Sequence, residues 1–278
     1  MARVHLSSYI GLPDEPHDHL EHGPLVLVVC QVRFSSVLRI GDESYVAGFQ
    51  DAIRGRFPIT SRQQSLDLQF GVGAQTLQAT PQQQVQWQFT DTADVWKVVL
   101  ASDYVAVETR GYDSFEDFLA RLGDVLKALK EEIGPEVITR VGLRYVNEIR
   151  GAGLDWQQAV EPYLLGPLEH QPLVGNASRM QQMARLQLTF PEGGGVAVGY
   201  GLVPDGTTVI PRANDTPPTG EFFLLDYDVY RLPTQPVPFV LDEILSDVRD
   251  FNSLAYRLFA WTTTKQYRDL LRAPGGLR

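Results

Sequence analysis

The alternation of apolar and polar positions predicts strands and helices in a fixed order. The β-branched, apolar run Leu25–Phe34 predicts a buried strand. Asp42 or Ser44 can cap the helix that follows, which ends near Gly55. Four segments with strand-like alternation come next, at residues 66–70, 85–89, 96–100 and 105–107. Because only short turns separate them, they are predicted to form an antiparallel meander.

A strongly amphipathic helix is predicted after Ser114. Asp117, three positions further on, completes a near capping box, and Gly134 ends the helix. The apolar positions form a one-sided stripe at helical period: Phe115, Phe118, Leu119, Leu122, Val125, Leu126, Leu129 and Ile133. This helix is therefore expected to cover one face of the sheet.

The same order of elements then restarts in the second half of the chain. A strand, a short helix, three strands and a long helix are predicted at residues 137–149, 156–165, 184–190, 196–203, 222–230 and 239–261. Each half is thus interpreted as a strand, a helix, about four strands and a second helix.

Two local alignments support an internal duplication. Residues 32–39 align with residues 143–150, so that Arg33 falls on Arg144. A later alignment, before each long helix, matches two Asp-Tyr dipeptides: Asp103-Tyr104 and Asp226-Tyr227. We therefore predict an α+β fold of duplicated β-α-β4-α units, with an antiparallel sheet and the long helices on one face.

This order of elements resembles each half of TATA-binding protein and the helix-grip domains that enclose lipid cavities. The resemblance concerns topology and implies no function. We predict a flexible N-terminal arm over residues 1–23, a first repeat over 24–135 and a second over 136–278, packed as one globular body. Three of the four histidines in the arm lie close together, but their spacing fits no standard metal site: His17, His19 and His22.

Side-chain alternation also indicates what the strands present on the face opposite the apolar residues. That face is expected to be rich in arginine and glutamine, whose planar donors suit a protein, peptide or nucleotide. The predicted binding residues are Arg33, Arg144, Gln31, Arg140, Glu148 and Arg185. A solvated sheet surface without any partner accounts for the same pattern.

Composition narrows the classes of partner. The net charge is −10, from 24 Lys and Arg against 34 Asp and Glu, so we expect no nonspecific binding to nucleic acid. The longest apolar run, residues 25–30, is too short to span a membrane. Since the N-terminal segment also lacks a signal-peptide core, a cytoplasmic protein is expected.

Motifs for catalysis or cofactor binding are missing from the sequence. There is no phosphate-binding loop, no dinucleotide fingerprint and no zinc-protease motif. Three glycines at 193–195 lie between two predicted strands and are interpreted as a hairpin turn. Cys30, the single cysteine, is interpreted as a buried structural thiol. We therefore predict no catalytic residues, no cofactor and no metal.

Three stretches, residues 24–34, 140–147 and 258–265, resemble a family of uncharacterised, sporadically distributed prokaryotic proteins of similar length. The resemblance spans residues 24–272, and its motifs form the core, so it implies no catalytic residues. A patchy distribution resembles that of genes in mobile or defence neighbourhoods.

Three functions remain open from the sequence. The first is a non-enzymatic binding or accessory protein that engages a protein or small ligand through the polar sheet face. The second is an RNA- or nucleotide-processing enzyme, which needs a basic groove. The third is a carrier of an apolar small molecule, with a cavity lined by Phe118, Leu122, Trp87 and Trp96. Because an exposed sheet edge can pair with a second copy of the chain, a homodimer is also expected.

Overall fold

A computed structural model describes residues 5–14, 20, 23–67, 82–150, 155–169, 181–208 and 219–272. Its strands are β1 (Leu25–Phe34), β2 (Ile59–Asp67), β3 (Gln82–Thr90), β4 (Trp96–Ala101), β5 (Tyr104–Thr109), β6 (Val137–Arg150), β7 (Gln182–Thr189), β8 (Gly195–Val203), β9 (Phe222–Arg231) and β10 (Val237–Pro238). Its α-helices are α1 (Glu43–Ile53), α2 (Phe115–Ala128), α3 (Trp156–Ala159), α4 (Pro162–Leu165), α5 (Leu241–Thr262) and α6 (Lys265–Arg272).

The strands form one antiparallel sheet in the order β2-β3-β4-β5-β1-β6-β9-β8-β7, and the short β10 pairs with β6. The first strands of the two halves, β1 and β6, pair at the centre. In each half the later strands form a meander that returns to that central strand. The predicted α+β class is confirmed, with helices packed on one side of an antiparallel sheet.

The two meanders differ in length within the described residues. The first has the predicted number of four strands, β2 to β5, although β2 begins at Ile59 and not at the predicted Leu66, whereas the second has three, β7 to β9. The predicted strand at 66–70 lies partly outside the described residues, which end at Asp67 before the gap. The expected β-α-β4-α repeat is therefore matched strand for strand in the first half only.

One hydrophobic core joins both halves on the helix side of the sheet. In β1 the side chains of Val28, Cys30, Val32 and Phe34 point into it. The predicted cap of α2 is confirmed, because Ser114 Oγ accepts a hydrogen bond from the N–H of Asp117 at 3.2 Å. The apolar faces of α2 and α5 are buried in the same core.

The helix predicted over 156–165 is interrupted, and α3 and α4 have four residues each. Val160 leaves the helix to form a β-bridge with Thr263, after the end of α5. Pro162 disfavours helical backbone at Glu161 and lacks an N–H, so a continuous helix would be broken there.

Residues 5–14 of the predicted flexible arm pack against α5. Leu6 is fully buried, and its N–H donates to Asp250 Oδ2 at 2.6 Å. Arg257, also on α5, donates to the carbonyl oxygens of Ile10 and Pro13 at 3.0 and 3.1 Å. The arm histidines at 17, 19 and 22 lie outside the described residues. None of the described helices is long and apolar enough to cross a membrane.

Candidate functional site

The open face is the side of the sheet opposite the helices, and all six predicted binding residues belong to it by strand register. On β1, Gln31 and Arg33 alternate with the core residues. Arg33 lies directly opposite Arg140 on β6, and Arg144 lies opposite Val29. The central pairing of β1 with β6 thus brings Arg33, from the first half of the sequence, onto the same face as Arg140 and Arg144 of the second half.

An amide oxygen links two of these arginines. Gln31 Oε1 accepts a hydrogen bond from Arg33 Nε at 3.2 Å and a longer one from Arg140 Nη1 at 3.4 Å. The two guanidinium groups would repel each other without a shared acceptor and nearby acids. Gln31 therefore links Arg33 and Arg140 through a shared hydrogen-bond acceptor.

Each of the three central arginines forms an ion pair with an aspartate. Arg33 bonds to Asp103 at 3.1 Å. The Arg140 Nη2 atom bonds to both carboxylate oxygens of one aspartate on β9, at 2.9 and 3.0 Å, and Arg144 binds another with two parallel hydrogen bonds at 2.6 and 2.8 Å. These aspartates are Asp228 and Asp226, respectively.

The ion pairs orient the arginines more than they stabilise the fold. The side chains of Arg33, Arg140 and Arg144 are 31%, 21% and 51% exposed. Solvent screening at such positions leaves about 1 kcal/mol or less for each pair. The hydrogen bonds from Arg144 to Asp226 raise the pKa of Arg144, against a lowering by burial, so its charge is permanent.

Two tyrosines extend the site on either side of the arginines. The guanidinium of Arg33 lies 5.5 Å from the ring centre of Tyr104, and that of Arg140 lies 5.1 Å from Tyr230. Both phenol oxygens accept hydrogen bonds of 2.8 Å, from the side-chain amides of Gln86 and Gln187. We call Gln31, Arg33, Arg140, Arg144, Asp103, Asp226, Asp228, Tyr104 and Tyr230 the arginine cluster.

A glycine provides the space for the Arg140 guanidinium. Gly142 lies opposite Gln31, and a Cβ atom there would be 2.4 Å from Arg140 Nη1. Any side chain at 142 would therefore compete with the guanidinium for the same volume.

Replacing Gly142 by alanine is expected to displace Arg140 from Asp228 with little change in stability. The atom in the way is the far end of a flexible side chain, so the sheet need not move. A crystal structure of the variant should show the ion pair broken, with the melting temperature within about 4 °C of the parent.

Gly199→Ala is the matched control for this substitution. A Cβ at 199 would meet Asp226 at an ordinary 3.6 Å, so the ion pair with Arg144 should persist. An unchanged Arg140–Asp228 pair in Gly142→Ala would contradict the role given to the glycine.

Two of the six predicted residues lie apart from the arginine cluster. Glu148 is 6% exposed and accepts hydrogen bonds from Arg150 and Thr208 at 2.7 and 3.0 Å. Arg150 also donates to the carbonyl oxygen of Gly220, so Glu148 helps to fix the connection between β8 and β9. Arg185 lies on the outermost strand, β7, where it makes a long 3.4 Å hydrogen bond to Gln187.

The aspartates are the part of the site that sequence reasoning missed. Asp103 lies in the turn between β4 and β5, where aspartate is common, whereas Asp226 and Asp228 lie within β9 and alternate with its buried residues. Their role depends on which strands are neighbours, and periodicity does not give strand order. The available signal was the alignment that matched Asp103 with Asp226, since each pairs with the arginine that its own repeat contributes.

The surroundings of Arg33 and Arg144 are similar but not identical. Both arginines lie on the open face and pair with an aspartate of the following meander. Directly opposite Arg33, however, is Tyr104, whereas Asp228 lies directly opposite Arg144. The two ion pairs therefore do not superpose residue for residue.

The four residues expected to line a carrier cavity are packed into the core. Trp87, Trp96, Phe118 and Leu122 are each at most 5% exposed. The Trp96 and Phe118 rings lie 5.8 Å apart, and Trp87 Nε1 donates to the carbonyl oxygen of Ile40 at 2.7 Å. A groove of about 270 Å³ lies elsewhere, between α1 and α2, and contains the exposed Arg56–Asp124 ion pair.

Among the described residues, no group of three or more His, Cys, Asp or Glu side chains is arranged to hold a metal ion. Cys30 is buried in the core, and burial raises the pKa of its thiol to about 12. The thiol is therefore protonated at neutral pH and a poor nucleophile.

No protein-family model matches the chain, and no curated protein matches it in sequence.

Proposed function

We propose that the protein is a non-enzymatic binding or accessory protein of the cytoplasm that engages another protein through the arginine cluster. The observation that carries the proposal is the set of three partly exposed arginines at the centre of the sheet, each oriented by an aspartate on the open face. Oriented arginines and tyrosines are typical of residues that dominate protein interfaces.

The charge balance of the cluster favours a protein over a nucleic acid. Each central guanidinium already has a carboxylate partner, so phosphate groups would have to displace aspartates or approach them closely. The net charge of −10 adds a general repulsion of polyanions. A protein surface can instead offer donors and acceptors together, which matches neighbouring arginine and aspartate groups.

We further propose that the site arose by duplication of one structural unit. In each half the central strand, β1 or β6, is followed outward by the strands of its meander in reverse chain order. Each half also contributes an arginine–aspartate pair. These two features support a duplicated unit similar in topology to TATA-binding protein. The stretches at 24–34, 140–147 and 258–265 support membership of the sporadic prokaryotic family. A fixed neighbouring gene would then be the first candidate for the partner.

Charge reversal at two central positions tests the proposed function. Arg33→Glu with Arg144→Glu should abolish capture of the partner by tagged protein in lysate of the native host. Each reversal places a carboxylate beside Asp103 or Asp226 at a partly exposed site, so the melting temperature should fall by no more than about 8 °C. Quantitative mass spectrometry of the captured proteins provides the readout.

Arg54→Glu is the matched control. Arg54 pairs with Asp51 on α1, and both side chains are about 70% exposed on the helix side. This variant should retain every specifically captured protein. Retention of the partner by the double variant would contradict the proposal, and unfolding of the double variant would show that the arginines are structural.

A further inference from the structure

Strand β7 forms one edge of the sheet and is exposed along most of its length. In the described residues it pairs with β8 and with no other strand. Three apolar side chains on it are substantially exposed: Met183 (49%), Leu186 (38%) and Leu188 (37%). Edge strands are normally protected by several charges, a proline or a bulge. β7 carries one charged residue, no proline and an uninterrupted register.

The edge of β7 that faces away from β8 presents a defined set of backbone groups. Just after the strand, the N–H of Phe190 donates to the carbonyl oxygen of Gly194 at 3.0 Å. Because bonding direction alternates along a strand, the even-numbered residues of β7 bond to β8. The N–H and C=O groups of Met183, Arg185 and Gln187 therefore point away from the sheet.

We propose that this edge binds the same edge of a second copy of the chain, antiparallel, with Leu186 on the two-fold axis. In that register Arg185 of one copy faces Gln187 of the other, and Ala184 faces Leu188. The two Leu186 side chains meet each other. The outward-pointing backbone groups then complete each other's hydrogen bonds, and the sheets of both copies become continuous.

The sequence of β7 selects this register over its neighbours. Antiparallel partners must point to the same face, so the register can shift only in steps that keep odd residues opposite odd ones. One shift places Arg185 of one copy opposite Arg185 of the other, and the repulsion between these like charges disfavours that register. The opposite shift places Gln187 on the axis and shortens the paired segment. The proposed register pairs seven of the eight residues of β7, 183–189, and keeps the arginines from facing each other.

The other edge of the sheet is less suited to self-association. On β2, Ile59 is 50% exposed, but residues 60–63 are Thr, Ser, Arg and Gln. These polar side chains offer little apolar area to a second copy. The dimer therefore uses β7, and it leaves the arginine cluster on the open face of each copy.

Disulfide cross-linking of Leu186→Cys tests the proposal directly. Residues on the axis form a non-hydrogen-bonded pair, whose Cα atoms lie about 4.5 Å apart, within the range of a disulfide. Oxidised Leu186→Cys should run as a covalent dimer, whereas Leu188→Cys, which faces Ala184, should not. The native Cys30 is buried and does not interfere. Ile59→Cys on β2 is the control and should stay uncross-linked.

Sedimentation of the wild-type chain supplies the second measurement, with an expected mass of twice 31.1 kDa. Arg185→Pro should give a folded monomer, because the lost N–H points outward and the β8 ladder is unaffected. A wild-type monomer throughout a dilution series would overturn the proposal. So would a dimer in which Ile59→Cys cross-links, or in which Leu186→Cys fails to cross-link.

Discussion

Replacing Asp247 by alanine is expected to lower the free energy of unfolding by about 3–5 kcal/mol, the range for removing one member of a buried ion pair. Asp247 lies on α5 and accepts a hydrogen bond from Arg231 Nε, at the end of β9, at 3.0 Å. The two side chains are only 3% and 8% exposed. Without the carboxylate, the positive charge of Arg231 remains in the protein interior, where water screens it poorly. Denaturant unfolding measures the loss.

Two further variants distinguish the effect of the buried charge from the effect of losing an exposed ion pair. Asp247→Leu combined with Arg231→Met should recover much of the stability, because both charges are then gone. Lys265→Ala, which removes an exposed ion pair with Asp269 on α6, should leave the free energy of unfolding nearly unchanged. An equally small effect of Asp247→Ala would contradict the importance given to this contact between sheet and helix.

Replacing Arg257 by alanine is expected to release the N-terminal segment from α5. The guanidinium is 8% exposed and donates to the carbonyl oxygens of Ser7, Ile10, Leu12 and Pro13. A hydrogen bond to a charged group contributes about 1.5–3 kcal/mol to stability. The variant should therefore lose more than about 2 kcal/mol of its free energy of unfolding. Hydrogen exchange of the amides in residues 6–10 should become much faster.

The matched control is Arg249→Ala on the same helix. Arg249 is exposed, so its replacement should leave the exchange of the N-terminal segment unchanged. If Arg257→Ala also leaves that exchange unchanged, the segment is held by the burial of Leu6 and by Asp250 alone. The anchoring role assigned to Arg257 would then be wrong.

The sequence predicted the elements that depend on local periodicity and capping. The apolar stripe and Ser114 cap of α2 are examples, as is the face on which Arg33 and Arg144 lie. Both follow from residues within one turn or one strand. The antiparallel meander follows from the short turns between its strands, and the helix layer follows from the one-sided apolar stripe of each long helix.

Features that depend on distant partners could not be predicted in this way. Asp250 and Arg257 look like solvent-facing charges on an amphipathic helix, yet they bind the backbone of residues 5–14. Glu148 alternates with the arginines of β6, but a neighbouring connection buries it. Such roles depend on which segments meet in space, and the apolar–polar periodicity of a single sequence does not show which segments meet.

The most direct test of the proposed binding face is site-specific photo-cross-linking in the native host. A photoreactive amino acid at Gln88, on the open face of β3, should cross-link a single partner protein. The same amino acid at Asp51, on the exposed side of α1, should not cross-link that protein. A partner captured from position 51 and absent from position 88 would place binding on the helix side and contradict the account.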